Sequence, residues 1–172
     1  FNFELHVCRK PIFVDSGTST YNIGKTRFLE RSTKAHNTVA VNNENSSQVW
    51  SGFRVGNRAH IVKIKESKNQ LAAVHNGYRD KCVSHKRTWV ANAKEITIID
   101  ELIGKKTEGT AYFHFHPSVL IEKRNRVFII NKHIELRFSD LVKVSELKTT
   151  FSSEFNIYKR NVTLKAVFAQ KC

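Results

Sequence analysis

Apolar residues alternate with polar residues along most of this chain, and a period of two is typical of a β-strand with one buried face. The opening run FNFELHVC places Phe1, Phe3, Leu5 and Val7 on one side and predicts a strand that starts at the first residue. Runs rich in Val, Ile, Thr and aromatic residues follow at short spacing. They predict strands at 11–14, 37–41, 59–65, 83–91, 95–100, 110–116, 126–131, 133–138 and 162–170.

Turn sequences such as DSGT, NIGK, NNENSS and IGKK separate these runs. The pattern therefore predicts an antiparallel all-β protein, a large two-sheet β-sandwich with ten or more strands. Helix is expected only in short segments such as SDLVKVSEL at 139–147. The chain shows no repeat and no linker, and 172 residues with 40% hydrophobic composition are enough for a real core, so residues 1–172 are predicted to form one domain.

The net charge changes the expected class of partner. Lys and Arg number 29 against 15 Asp and Glu, which gives +14 and predicts attraction to nucleic acid, anionic lipid or acidic polysaccharide. The basic residues are scattered, and no nucleic-acid-binding module is recognisable, so acidic polysaccharide is favoured over nucleic acid. No apolar run approaches the about 18 residues of a membrane span, so we expect no membrane partner.

The three cysteines, Cys8, Cys82 and Cys172, are far apart and form neither a disulfide framework nor a zinc knuckle. Cys82 and His85 stand three apart in a strand-like run, where they would face opposite sides, so they are not predicted to form a catalytic dyad. The chain begins without Met and in the middle of a strand pattern, so we expect it to be a piece of a longer protein.

Asp15 and His36 are the first candidates for a site. Asp15 ends the strand PIFV and His36 opens the strand NTVAV, so neighbouring strands would bring an aspartate and an imidazole to one sheet edge. These donors suit Zn²⁺ if a further ligand joins them. The alternative is that Asp15 closes an Asx-turn with the following SGT and His36 only hydrogen-bonds at the start of its strand.

His114 and His116 in YFHFHP are the rival pair, because residues two apart on a strand share a face and could clamp a metal. No Asp or Glu lies close to them in the sequence. Phe113 and Phe115 would form the buried face, so both histidines are expected to point outwards in a solvent-facing or structural role.

Five runs together resemble the C-terminal β-sandwich domain of the heparinase II/III-like polysaccharide lyases. They are VDSGTSTYN, RFLERSTKAHNTVAVN, SSQVWSGFRVGNRA, GYRDKCVSHKRTW and ITIIDELIG. The resemblance implies a parent enzyme that cleaves uronic-acid polysaccharides by β-elimination, with an N-terminal helical toroid domain absent from this chain. It also implies a periplasmic or secreted protein, although unpaired cysteines would suit a reducing cytoplasm as well.

The resemblance further implies that Asp15 and His36 bind a structural Zn²⁺ with a histidine from an H-x-H-x-D motif that would lie before Phe1. The family's tyrosine and histidine catalysts cannot be mapped onto this chain, so no catalytic residue is assigned. The expected contacts to substrate are Tyr21, Arg27, Arg31 and Arg54.

Two other functions stay open at this point. The first is a non-catalytic module that binds acidic glycans, and the second, less favoured, is a basic β-domain that binds nucleic acid. A preference for RNA or DNA over heparin or alginate at equal salt would favour the second, because charge alone makes both polyanions bind.

Overall fold

A computed structural model describes residues 1–170, and this part of the chain holds fifteen strands. They are β1 (Leu5–Val7), β2 (Lys10–Phe13), β3 (Val39–Val41), β4 (Gln48–Trp50), β5 (Arg54–Gly56), β6 (Ile61–Ser67), β7 (Gln70–Tyr78), β8 (Val83–Ala91), β9 (Ile96–Gly104), β10 (Glu108–His114), β11 (Ile121–Arg124), β12 (Val127–Ile130), β13 (Ile134–Arg137), β14 (Lys143–Phe151) and β15 (Lys159–Ala169). One short helix, α1 (Lys25–Glu30), and 3-10 turns at Thr33–Ala35 and Arg79–Lys81 complete the secondary structure.

Two four-stranded antiparallel sheets dominate the fold, with strand orders β14-β15-β10-β3 and β6-β7-β8-β9. A three-stranded meander, β11-β12-β13, and the hairpins β1-β2 and β4-β5 pack around them. The predicted all-β sandwich is confirmed.

The hydrophobic core lies between the first sheet, β14-β15-β10-β3, and the strands that pack against it. On the first sheet, Phe113 pairs with Leu164 in register, and both side chains are buried. Val83 and Leu102 from the second sheet and Phe128 from the meander belong to the same cluster. Burying an apolar side chain of this size stabilises the fold by about 1.5–3 kcal/mol. Because alternate residues of a strand share one face, the period of two places these side chains in the core.

Strands β2 and β3 both run along one edge of β10, and this positions the candidate site. Phe13 bridges to Phe115, and the amide of Val14 donates to the carbonyl of His114 at 2.9 Å. Further along the same edge, Val39 of β3 pairs with Ala111. The loop 14–38 between the two strands therefore begins and ends beside the C-terminal half of β10.

Several sequence predictions are wrong in detail. The first strand starts at Leu5 rather than Phe1, because the side chain of Asn2 bonds Asp15 and the backbone of Asn37 instead of extending the hairpin. The segment 139–147 is not helical, since β14 begins within it and pairs with β15. The NIGK turn leads directly into α1, and the sequence did not predict β4, β5, β7 or β11.

Cys8 and Cys82 are free and exposed, whereas Cys172 lies outside the described residues. Within residues 1–170, no helix has the length and apolar character needed to cross a membrane.

Candidate functional site

The side chains of Asp15 and His36 meet at the edge of β10. The Nδ1 atom of His36 lies 2.7 Å from Oδ2 of Asp15, and since a carboxylate only accepts, the Nδ1–H of His36 donates. The side-chain amide of Asn2 donates to the same oxygen, and the amide of Gly17 donates to Oδ1 at 3.0 Å. Asp15 thus also forms the Asx-turn that was the simpler alternative.

The electrostatics of this pair favour an ionised carboxylate. Burial raises the pKa of Asp15, but the hydrogen bonds from His36 and Gly17 outweigh it, and the pKa lies below its usual value. Within residues 1–170 the Nε2 atom of His36 has no hydrogen-bond partner, and the side chain keeps about a third of its surface exposed. The pair is therefore open to solvent on the His36 side.

The two donors fit part of a zinc site. Asp15 Oδ2 and His36 Nδ1 lie 2.7 Å apart, and a zinc ion held by both would take the place of the proton that they share. No group of three or more His, Cys, Asp or Glu side chains that could hold a metal exists in the described part of the chain. Asp15 and His36 supply suitable donors for zinc, and any further ligands must come from elsewhere.

Asn37, the neighbour of His36, is fully buried and bonds several strands at once. Its side-chain amide donates to the carbonyls of Phe3 at 2.8 Å and Val14 at 3.0 Å, and its Oδ1 accepts the amide of His114 at 2.7 Å. Every polar group of this side chain has a partner. Asn37 therefore fixes the backbone that carries His36 against β2 and β10.

A buried ion pair supports the same backbone from the second sheet. Arg87 of β8 grips the carboxylate of Asp100 of β9 through two hydrogen bonds of 2.7 and 2.8 Å. Its Nη1 also donates to the carbonyls of Asn37 at 2.5 Å and Phe1 at 3.0 Å. Because Arg87 has no exposed surface, this guanidinium ties the loop that carries His36 to the second sheet.

Two buried histidines extend from Asp100 in a directed chain of hydrogen bonds. Gly77 N–H donates to Nδ1 of His75 at 3.0 Å, which leaves the proton of a neutral His75 on Nε2. That Nε2 lies 3.1 Å from Nδ1 of His85, and Nε2 of His85 lies 2.7 Å from Asp100. Each neutral ring therefore accepts at Nδ1 and donates at Nε2.

Burial keeps both of these rings uncharged. Desolvation lowers the pKa of His75 to about 3, with the nearby His85 and Arg87 acting in the same direction. Burial also lowers the pKa of His85, although its bond to Asp100 opposes the shift. Both nitrogens of His75 are engaged within the protein, so the ring has a structural function in this conformation.

A cavity of about 260 Å³ opens beside the Asp15–His36 pair. Its walls include His36, His75, Arg31 and Ser47, so the edge of the buried histidine chain and the partly exposed imidazole of His36 face one space. Of the Asp15–His36 pair, His36 is the residue that lines this cavity.

Three of the four predicted substrate contacts lie on the loop 14–38, and Arg54 is the first residue of β5, but their environments differ. The guanidinium of Arg31 donates to the carbonyls of Trp50, Ser51 and Arg54 at 2.9 to 3.0 Å and so holds that turn in place. Arg27 is buried and donates through Nε to the carbonyl of Gly52 at 3.1 Å.

Tyr21 and Arg54 are the two exposed residues among the predicted substrate contacts. About half of the Tyr21 side chain is open to solvent, and the Arg27 guanidinium lies 5.2 Å from the centre of its ring. The side chain of Arg54 has no hydrogen-bond partner within residues 1–170 and is exposed. Tyr21 and Arg54 are thus accessible to a ligand, whereas Arg27 and Arg31 shape the surface beneath them.

The prediction that His114 and His116 both point outwards is wrong for His114. This ring is buried, with Nδ1 2.8 Å from the hydroxyl of Thr163 and Nε2 2.9 Å from the carbonyl of Lys34. Burial lowers the pKa of His114 to about 4. The strand ends at His114, and His116 bonds Ser118 in the following turn, so the two rings do not form a pair. Phe113 and Phe115 are buried as predicted.

The sequence did carry a signal for His85, Arg87 and Asp100, which the sequence analysis did not predict to lie at the site. His85 and Arg87 stand two apart on β8, on the same face as Val83, which predicts a polar pair directed into the core. Asp100 is the one charged residue in the run ITIID. A buried carboxylate requires a cation or hydrogen-bond donor, and Arg87 is in register with it on the neighbouring strand.

Comparison with solved structures identifies proteins with the same fold. The chain matches a heparan sulfate lyase HepC mutant from Pedobacter heparinus with a TM-score of 0.71 and 17% identity, covering 99% of this chain and 28% of that chain. It matches the heparinase III BT4657 gene product with methylated lysines with a TM-score of 0.74 and 18% identity, covering 99% of this chain and 27% of that one. The chain therefore spans little more than a quarter of the length of these proteins. No curated protein matches its sequence.

Structural likeness at such low identity shows only the fold, whereas a match to a family model identifies the family. The model for the heparinase II/III-like C-terminal domain matches residues 1–166, which is nearly the whole chain. The chain belongs to the heparinase II/III-like C-terminal domain family.

Proposed function

We propose that this chain is the C-terminal β-sandwich domain of a polysaccharide lyase that cleaves uronic-acid-containing acidic polysaccharides by β-elimination. The observation that carries the proposal is the 2.7 Å contact between Asp15 and His36, the two residues to which the lyase resemblance assigns a metal. Membership of the heparinase II/III-like family and a fold shared with proteins named as heparan sulfate lyase and heparinase III support it.

The reaction requires three groups around one uronic acid. A base removes the proton at C5, a cation or donor neutralises the adjacent carboxylate, and an acid protonates the departing O4. In this proposal the base and acid belong to the remainder of the parent protein, which includes a helical toroid domain. The sandwich contributes one wall of the cleft and no catalytic residue.

The part of that wall nearest to the substrate is the loop 14–38 with the β4–β5 turn. Tyr21 and Arg54 contact the sugar, since both side chains are accessible. Arg27 and Arg31 add positive charge and hold the turn through its backbone carbonyls. The net charge of +14 attracts an acidic polysaccharide, and this attraction weakens as salt is added.

The metal of this proposal is a structural Zn²⁺. Asp15 and His36 supply two of its ligands, and a histidine from the parent protein supplies another. When bound, the ion would fix the loop 14–38 relative to the rest of the enzyme. The compartment proposed for the parent is the periplasm or the exterior of the cell, where such polysaccharides are found.

The test uses the ultraviolet absorbance of the 4,5-unsaturated uronate that β-elimination leaves at a chain end. The parent protein is incubated with heparin, heparan sulfate, chondroitin sulfate and alginate in turn, and release of absorbing product from at least one is expected. The isolated chain should give no product, because it lacks the base and the acid. Turnover by the isolated chain would contradict the placement of catalysis outside it, and no turnover of any substrate by the parent would contradict the proposed activity.

A non-catalytic glycan-binding module is the second candidate. It is favoured by the exposed aromatic residues around Tyr21, which could bind a sugar without cleaving it. Binding of heparin or alginate by a parent protein that releases no unsaturated product would select this alternative.

A further inference from the structure

Three aromatic rings form a row on the surface beside the loop 14–38. The ring of Tyr21 lies between Phe53 and Phe155, with centroid separations of 5.6 and 5.5 Å and interplanar angles of 26° and 22°. We call these three residues the aromatic row. Its members come from three separate segments, so the stack is built by the tertiary fold.

The aromatic row is held from below by buried groups. Arg27 places its guanidinium 5.2 Å from the ring centre of Tyr21 and 5.4 Å from that of Phe53, and it bonds the carbonyl of Gly52. Its carboxylate neighbour Glu30, 4.0 Å away, also accepts the amide of Ser19 at 2.9 Å. Cation–π contacts of this kind stabilise a ring in one position. Tyr21 and Phe53 are thus fixed before any ligand binds.

Phe155 is fixed by the contact between its own segment and the loop 14–38. The amide of Asn156 donates to the carbonyl of Ser19, and the amide of Ser152 donates to the carbonyl of Ser16, both at 2.9 Å. Gly17 allows this approach, because a Cβ atom there would lie 1.9 Å from the carbonyl oxygen of Ser152. The third ring therefore keeps its place relative to the other two.

All three rings remain largely open to solvent. The exposed fractions are 54% for Tyr21, 68% for Phe53 and 53% for Phe155. Rigid aromatic surface that is left exposed marks a binding surface more often than single scattered apolar residues do. Arg54, the residue that follows Phe53 in the chain, is also exposed, and the protein carries a net charge of +14.

We infer that the aromatic row is a sugar-binding platform, where apolar C–H groups of pyranose rings in an acidic oligosaccharide pack against the exposed parts of the three rings while Arg54 pairs with an acidic group. Pyranose rings have such apolar faces, and a linear oligosaccharide fits a narrow row better than it fits a broad apolar patch. The charge of the protein is complementary to the acidic ligand. This inference rests on the proposed function for the class of ligand, and it adds Phe53 and Phe155 to the binding surface.

The experiment measures the Kd of the isolated chain for a heparin hexasaccharide and an alginate hexasaccharide by calorimetry, at low and at high NaCl. Apolar packing against the rings depends little on salt, whereas pairing with Arg54 weakens as salt increases. We expect Phe53→Ala and Phe155→Ala each to raise the Kd about five- to tenfold at both salt concentrations, on at least one probe. Phe53→Trp should retain binding.

Arg54→Gln should weaken binding at low salt and have little effect at high salt. Leu141→Ala removes an apolar side chain that is 74% exposed in another part of the fold and serves as the matched control, with unchanged Kd expected. Circular dichroism of each variant verifies the fold. Wild-type affinity in Phe53→Ala and Phe155→Ala would overturn the inference and would fit a surface that docks another protein domain. Lyase activity of the parent is measured separately, so failure of the platform and failure of the proposed reaction give different results.

Discussion

His36 donates its Nδ1 proton to Oδ2 of Asp15 across 2.7 Å, although 20 residues and a short helix lie between them in the chain. The pair is held in place by three side chains, those of Asn2, Asn37 and Arg87. Asn2 bonds Asp15 directly, and Asn37 and Arg87 fix the backbone on the His36 side. Because these supports are internal to the domain, the geometry does not require a metal.

Asn37→Ala should destabilise the protein by about 3 kcal/mol. The change leaves the carbonyls of Phe3 and Val14 and the amide of His114 buried without partners, and each loss costs about 1–3 kcal/mol less any local relaxation. Urea denaturation followed by fluorescence measures the effect. Asn22→Ala, at an exposed position, should stay within about 0.5 kcal/mol of wild type. Equal stability of the two variants would contradict the anchoring function of Asn37.

Gly17→Ala should also be strongly destabilising, by about 2 kcal/mol or more. Gly17 has a φ of +78°, which an L side chain rarely adopts, and its new Cβ would collide with the carbonyl of Ser152. Gly24→Ala is the matched control, because nothing lies within 4 Å of the corresponding Cβ. If thermal unfolding shows the same midpoint for both variants, the close approach of the two segments is not present in solution.

Stability should fall as the pH is lowered from about 6.5 towards 4. An unfolded histidine has a pKa near 6.5, whereas burial lowers that of His114 to about 4 and that of His75 to about 3. The unfolded state therefore binds more protons in this window, and the stability conferred by the neutral rings is complete above it and lost on acidification. Each such histidine contributes up to about 1.4 kcal/mol per pH unit.

Urea titrations at several pH values between 7.5 and 4.5 measure this slope. His75→Gln should make it shallower, and His133→Ala, which removes an exposed ring, should leave it unchanged. A free energy of unfolding that stays constant or rises between pH 6.5 and 5 would show that these rings are not buried in the neutral form.

Much of the fold could be predicted from the sequence because strand period and turn chemistry are local signals. Strand β8 has the predicted bounds, Val83–Ala91. In β7 the small and polar residues of LAAVHNGY weaken the alternation, although tertiary pairing still makes it a strand. The apolar residues of 139–147 follow a spacing compatible with helix, and only the long partner β15 determines the outcome. Pairing across the sheet cannot be seen in a local pattern.

Part of the candidate site could likewise be predicted from the sequence, and part could not. Asp15 and His36 stand in a motif and could be named in advance. The chain from His75 through His85 to Asp100 depends on the register of three neighbouring strands, one of which was not predicted. The aromatic row likewise joins residues from three segments that only the fold brings together.

Zinc content of the parent protein tests the assignment of Asp15 and His36 most directly. Wild-type protein purified without chelator should contain zinc in stoichiometric amount, and His36→Ala should lose it because one of the few ligands is removed. His133→Ala, an exposed histidine far along the chain, should keep the wild-type content, and circular dichroism should show all three proteins folded. Loss of zinc in His36→Ala alone is the result predicted here, and unchanged zinc in that variant would contradict the assignment.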